Sequence, residues 1–221
     1  MPLLPLEPFV FPDNLLTPAS KMGLGVVSGE AAPAARRSVE DTTPEAFVEA
    51  GPARWWVLHT RPRAEKALAR RVLNQSLPFF LPLYKKQWRT RGRLFSSHMP
   101  LFPGYLFLHG DEQARLRALE TNMVVNCLTV GDQQQLWADL ARVYHLMAAG
   151  SPLSPEDRLL PGTTVEIISG PLAGLQGKII RRGKQLRFFV EVQLLQRGVS
   201  VEIESWMFQP LGRPEPAETV R

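Results

Sequence analysis

Val165-Glu166-Ile167-Ile168-Ser169-Gly170-Pro171-Leu172-Ala173-Gly174-Leu175-Gln176-Gly177-Lys178-Ile179-Ile180 is the stretch on which the reading of the fold turns. Two apolar runs flank a loop that holds three glycines and a proline. Glycine reaches positive φ without strain and Pro171 fixes one turn residue, so the stretch reads as strand, tight loop, strand. Val165 and Ile167 alternate with polar neighbours. Downstream, Leu186, Phe188, Val190, Val192 and Leu194 recur at every second position, as do Val199, Val201 and Ile203. Short period-two runs separated by glycines describe a small β-barrel over 162–211. Such a unit, about fifty residues long, is near the lower limit for folding alone.

Working upstream, Ser151 to Pro161 carries Pro152, Pro155 and Pro161 and reads as a linker. Before it the pattern is mixed. Trp55 to Thr60 is a strand of aromatic and apolar residues, closed by Pro62, which opens a helix through about Gln75 with Ala64, Leu68 and Val72 on one stripe. Phe79 to Tyr84 predicts a second strand. Lys85 to His98 is polar, with Arg91-Gly92-Arg93 at its centre, and suits a hairpin. Leu101 to Leu108 predicts a buried strand interrupted by Pro103-Gly104. Asp111 is an N-cap for a helix to Glu120, with Ala114 or Leu116 facing inward. Val124 to Val130 is another strand. Gln133 to Ala148 is a helix with Leu136, Leu140, Val143 and Met147 on one face. This order predicts an α+β sandwich over 54–150 rather than a doubly wound sheet. Residues 1–53 hold eight prolines and no steady period, so they are expected to be a flexible extension, and 212–221 a tail.

The net charge of +5 conceals an asymmetry. Residues 54–110 hold eleven basic side chains and one acid, Glu65, whereas residues 1–53 hold three basic and seven acidic ones. A basic block of this kind fits either a polyanionic neighbour such as nucleic acid or a solvated face. No positive n-region precedes an uninterrupted apolar run at the start, and no run of about 18 apolar residues occurs. The single cysteine, Cys127, has no internal disulfide partner. These features predict a cytoplasmic protein with no membrane role.

Catalytic chemistry finds no constellation. His59, His98, His109 and His145 lack metal-ligand spacing, Cys127 lies in an apolar strand without an obvious base, and Ser169 and Ser205 sit in no nucleophile elbow. No glycine-rich phosphate loop followed by Lys-Ser or Lys-Thr occurs. The expectation is a binding protein without cofactor or metal.

The order Gly170-Pro171, an apolar residue, Ala173-Gly174, an apolar and a polar residue, Gly177 and a second strand resembles the KOW motif; the alternative is a β-hairpin of no particular family. Pro100-Leu101-Phe102-Pro103-Gly104-Tyr105-Leu106-Phe107 lies between Trp55-Trp56-Val57-Leu58 and that segment at distances close to those of the NusG amino-terminal (NGN) domain. From about Arg54 to Leu211 the chain resembles NusG-like transcription elongation factors, and its Leu-Phe-Pro-Gly-Tyr-Leu-Phe wording is nearer the specialised RfaH and UpxY paralogs. The resemblance implies an NGN-type α/β sandwich followed by a small SH3-like KOW β-barrel.

It also implies a function. NusG-type NGN domains lay an apolar depression on the clamp of RNA polymerase. By position, that points to Trp55, His59, Phe102 and Tyr105, with Trp56 and Phe80 as supports; at His59 the paralogs often carry an aromatic. A second contact, on the opposite side of the cleft, falls on Asp111 to Glu120, where Arg115, Leu116 and Arg117 replace RfaH's polar run, leaving Arg115 or Arg117 to serve. Non-template DNA would meet Arg61, Arg63, Lys66, Arg70 and Arg71, with Lys85 to Arg93 as a second DNA or RNA candidate. The barrel would recruit the termination factor Rho or a small-subunit ribosomal protein through Leu172. The implied role is suppression of pausing or termination; the alternative is a KOW-containing RNA-binding or ribosome-associated protein. The resemblance raises one more choice, between a permanent barrel and an RfaH-like helical hairpin that masks the polymerase surface. Phe188, Phe189, Val190 and Val192, with Val199, Val201 and Ile203, fit strands better than helices and favour the barrel.

Overall fold

The computed structural model describes residues 9–16, 51–158, 162–182 and 185–211. The first unit is a five-stranded antiparallel sheet in the order β1 (Val10–Phe11), β3 (Phe79–Phe80), β6 (Tyr105–Gly110), β2 (Arg54–Thr60), β7 (Val124–Leu128). Alternation along the strands sorts the side chains onto two faces. One face carries a cross-strand row running Leu128, Val57, Phe107, Phe80, Val10. The other carries Trp56, Leu108, Phe79 and Phe11 in register. Helices α1 (Glu65–Asn74) and α2 (Glu112–Glu120) cover this second face with Leu68, Ala69, Val72, Ala114 and Ala118. Helix α3 (Gln133–Ala148) covers the first with Leu136, Leu140 and Val143. The expected N-cap forms, Asp111 accepting the Ala114 N–H at 2.8 Å, and the structure adds a second, Asp132, which accepts the Gln135 N–H at 2.8 Å ahead of α3.

Several boundaries move from where the pattern placed them. Pro62 does not open α1. Arg63 takes a left-handed φ of 63° and the Ala64 N–H donates to Arg61 O, so a turn occupies these residues and the helix starts at Glu65. The strand expected from Leu101 begins at Tyr105, because Leu101 to Gly104 forms a turn with Gly104 at φ 85°. Lys85 to His98 does form a hairpin, built from β4 (Leu83–Thr90) and β5 (Arg93–Pro100), which pair with each other as a separate two-stranded sheet.

The extension and the linker need larger corrections. Within 1–53, expected to be flexible, residues 9–16 hold β1 at the sheet edge and bury Val10 and Leu16 in the core; the remainder of that extension up to residue 50 and the 212–221 tail lie outside the described residues. Within Ser151–Pro161, Leu153–Glu156 forms β8, an edge strand paired with β12 (Arg197–Ile203). Pro155 lacks an N–H to donate, which an edge strand tolerates where a central one would not.

The second unit is a six-stranded antiparallel sheet in the order β13 (Phe208–Pro210), β9 (Thr163–Ile167), β10 (Gln176–Arg182), β11 (Gln185–Val192), β12, β8. Val165, Ile167, Phe188, Val190, Val192, Val199, Val201 and Ile203 are all buried, and the stretch 186–203 is strand rather than helix apart from a short turn at Gln193–Leu195. The three glycines of the loop serve two purposes. Gly170 and Gly174 have φ of 82°, as turns require, but Gly177 lies in β10, where a Cβ would stand 2.6 Å from the Phe188 ring. A polar network stitches β8 to β11 and β12: Arg187 donates to Ser154 Oγ at 2.7 Å and to Ser200 Oγ at 2.9 Å, and the Ser200 hydroxyl donates to Glu156 at 2.6 Å.

The two units pack together. One apolar cluster runs from the sheet through α3 into the all-β unit. Buried Asp139 of α3 accepts the backbone N–H of Gln193 at 2.9 Å, and Arg197 reaches the Pro103 carbonyl at 3.4 Å.

Candidate functional site

The residues singled out around Trp55 and Phe102 separate into core and rim. Trp55, Phe80 and Phe102 are core, with Phe102 only 1% exposed and meeting Phe107 edge-on at 6.0 Å. Trp55 also lines an open cleft with Arg54, His109, Gln133 and Trp137. Leu101, Phe102 and Phe80 share one cluster with α3 and the all-β unit, so apolar surface on this side is covered from within the chain. Gln133 fixes α3 over β2, donating to Trp55 O at 3.1 Å and accepting from Trp55 N at 2.7 Å.

His59 and Tyr105 form the rim. They are partners in register across β2 and β6, partly exposed, with ring centroids 5.2 Å apart. Gly104 brings the backbone against them; a Cβ there would stand 3.5 Å from the His59 ring. The kink itself is held by Glu65, whose buried carboxylate accepts the Gly104 N–H at 2.7 Å, and by the Thr60 N–H donating to Gly104 O at 2.8 Å. Glu65, the lone acid of the basic block, is therefore a positioning residue that sequence reading passed over. Its signal was the isolation of one carboxylate among eleven cations. From the other unit, the Arg197 guanidinium lies 5.6 Å from the Tyr105 ring.

Trp56 takes a place of its own. Its indole N–H donates to Gly110 O at 3.0 Å, and the Arg54 and Arg115 guanidinium carbons lie 3.9 and 5.3 Å from its ring. Arg115 also pairs with Glu112, its Nε donating at 2.7 Å, and this pairing holds the Glu112 carboxyl below the usual carboxylate range. Arg115 thus has local partners, while Arg117 is exposed.

Arg61, Arg63, Arg70 and Arg71 are exposed at the start and along one side of α1, with Lys66 partly so. Lys66, Arg70 and Arg71 lie on the helix that also holds the Gly104 kink through Glu65, and Arg61 and Arg63 lie in the turn before it. In the all-β unit Leu172 turns inward and is 4% exposed, because the turn from Gly170 to Gly174 packs its apolar residue into the core. The apolar side chains left at that end are Ile168 and Trp206, 51% and 66% exposed; the Ile168 N–H donates to Met207 O at 2.8 Å.

Burial raises the Cys127 thiol's pKa, which favours the neutral thiol over the thiolate. Among the described residues no group of three or more His, Cys, Asp or Glu could hold a metal ion, and no helix is long and apolar enough to cross a membrane.

Residues 53–140 match the NusG family model, described as transcription termination factor nusG. Among solved structures, the chain resembles Thermotoga maritima NusG, from a structure of its domain interaction, at 18% identity, covering 73% of this chain and 98% of that one with a TM-score of 0.42. It also resembles a chain of the MjSpt4:Spt5 complex at 15% identity, covering 72% and 99%, with a TM-score of 0.24. No curated protein matches the chain.

Proposed function

We propose that this protein is a transcription elongation factor that binds RNA polymerase through its NusG-family domain and suppresses pausing or termination, as a specialised NusG paralog of the RfaH or UpxY kind. The observation that carries the reading is the family match over residues 53–140. The His59–Tyr105 rim and the exposed cations of α1 lie within that same domain. The rim grips the polymerase clamp, Arg117 faces the opposite side of the cleft, and Arg61, Arg63, Lys66, Arg70 and Arg71 follow the non-template DNA. Trp55, Phe80 and Phe102 support the rim from the core, and Trp56 with Arg115 supports the α2 side. Tighter binding to the active polymerase than to the paused one shifts the population between them, and no chemistry is needed. The all-β unit recruits a second partner, Rho or a small-subunit ribosomal protein, through exposed Ile168 and Trp206 in place of buried Leu172. The work belongs in the cytoplasm.

The test is capture of core RNA polymerase by the full chain, with and without the double substitution His59→Ala and Tyr105→Ala. Capture that weakens at least roughly ten-fold in the folded variant supports the surface, as hot-spot aromatics do elsewhere. Capture unchanged by the variant removes the rim from the reading, and no capture by the native chain overturns the reading itself.

A further inference from the structure

The β4–β5 hairpin packs little of itself. Residues 85 to 95 are exposed throughout, and the two strands pair with each other rather than with either larger sheet. Eight residues a side make an arm roughly 25 Å long. A two-residue turn with positive φ at Arg91 (49°) and Gly92 (76°) closes it, the conformation that matches strand twist.

Register places Tyr84, Lys86, Trp88 and Thr90 on one face with Met99, Ser97, Phe95 and Arg93 opposite them. Trp88 and Phe95 stack at 6.0 Å and 18°, yet remain 42% and 44% exposed. A cross-strand aromatic pair steadies a hairpin by about 0.2–1 kcal/mol, but that role accounts for neither the open ring faces nor the charges around them. Lys86 and Arg93 share the face of the pair, Arg91 sits in the turn, Lys85 and Arg89 project from the other face, and no Asp or Glu occurs from residue 66 to residue 110. An apolar protein partner would leave those cations unmatched. A partner that offers phosphates and flat π faces together matches both. In a duplex the base faces are already stacked on each other, so the matching partner has unpaired bases.

We propose that the β4–β5 hairpin is a stacking platform for unpaired bases of single-stranded nucleic acid, with Trp88 and Phe95 taking the bases and Lys86 and Arg93 the phosphates. The proposal rests on the nucleic-acid part of the function above and assigns it a second site and a strand state.

The probe is a short fluorescein-labelled oligothymidylate, compared with a duplex of equal length, titrated into the full chain. Trp88→Ala with Phe95→Ala should weaken single-strand binding roughly 5- to 100-fold while duplex binding and the salt slope hold. Lys86→Gln with Arg93→Gln should instead lower the slope of log affinity against log salt by about 0.7 for each phosphate left without its cation. Trp88→Phe keeps the ring pair and the fold, and should abolish the part of the tryptophan quenching that the oligonucleotide causes in the native chain. Equal weakening on single strand and duplex, no weakening, or quenching unchanged in Trp88→Phe would each overturn the platform. So would loss of polymerase capture in the double alanine variant with oligonucleotide binding intact, which would make this face a protein contact. If the native chain captures no polymerase but the oligonucleotide results hold, the polymerase reading fails and the platform stands.

Discussion

His109 shows how one side chain ties this fold to pH. Its ring packs on Trp55 at 5.0 Å, and burial lowers its pKa below the ordinary 6.5. As pH falls through that value the unfolded chain takes up a proton before the native chain does. Native stability is therefore full above about 6.5 and declines below it, by at most about 1.4 kcal/mol per pH unit from this one group. His109→Gln should shrink the stability difference between about pH 7.5 and about pH 5.5, measured by urea unfolding. An undiminished difference in the variant would assign the dependence to other groups. The charge at this position could be anticipated from sequence only as a histidine in a strand; its desolvation comes from what lies opposite, Trp55, fifty-four positions away in the chain.

At the scale of elements, β6 depends on α1 for its starting geometry. Glu65→Ala leaves the Gly104 N–H without its carboxylate and should destabilise the protein by about 1–3 kcal/mol, read as a lower urea midpoint; a change under about 0.5 kcal/mol would mean the kink holds itself. The exposed side of α1 makes a different prediction. Arg61→Ala, Arg63→Ala and Arg71→Ala together should make binding to an elongation complex less salt-dependent, by roughly one unit of log slope for each phosphate no longer neutralised. An unchanged slope would mark that side as merely solvated. Helices and strands with strong periods were legible: α3 announced itself through Leu136, Leu140 and Val143, and β11 and β12 through their alternation. Short edge strands were not. β1 has two residues and β8 carries a proline, so neither shows a period, and each exists because a neighbouring strand offers its edge. The aromatic rim was half legible for a related reason. Sequence marks Phe102 and Tyr105 alike as aromatic, and only the packing of α3 and the all-β unit sends Phe102 inward. Phe102→Ser therefore tests the core, at a cost of several kcal/mol, on the order of Phe→Ala in other interiors.

Across the whole molecule, Asp139 is the hinge pin. Its buried carboxylate accepts from the Gln193 backbone N–H and from the Gln135 amide at 2.7 Å while pairing with Arg142. Asp139→Ala should loosen the all-β unit from α3, raising the radius of gyration in small-angle scattering and speeding exchange of the Gln193 amide hydrogen. Scattering and exchange identical to the native chain would mean the apolar contact alone holds the units. Neither link showed in the sequence, since a carboxylate that bonds a distant backbone N–H leaves no spacing to read. How far the freed unit could travel follows from β8. Because Leu153–Glu156 stays with its sheet, only Ala149 to Pro152 separate it from the end of α3 at Ala148. About five peptide steps span at most about 17 Å, so the unit swings on a short leash instead of roaming on a long one. Whatever it holds is kept within about one domain's width of whatever the first unit grips, at the high local concentration that short tethers impose.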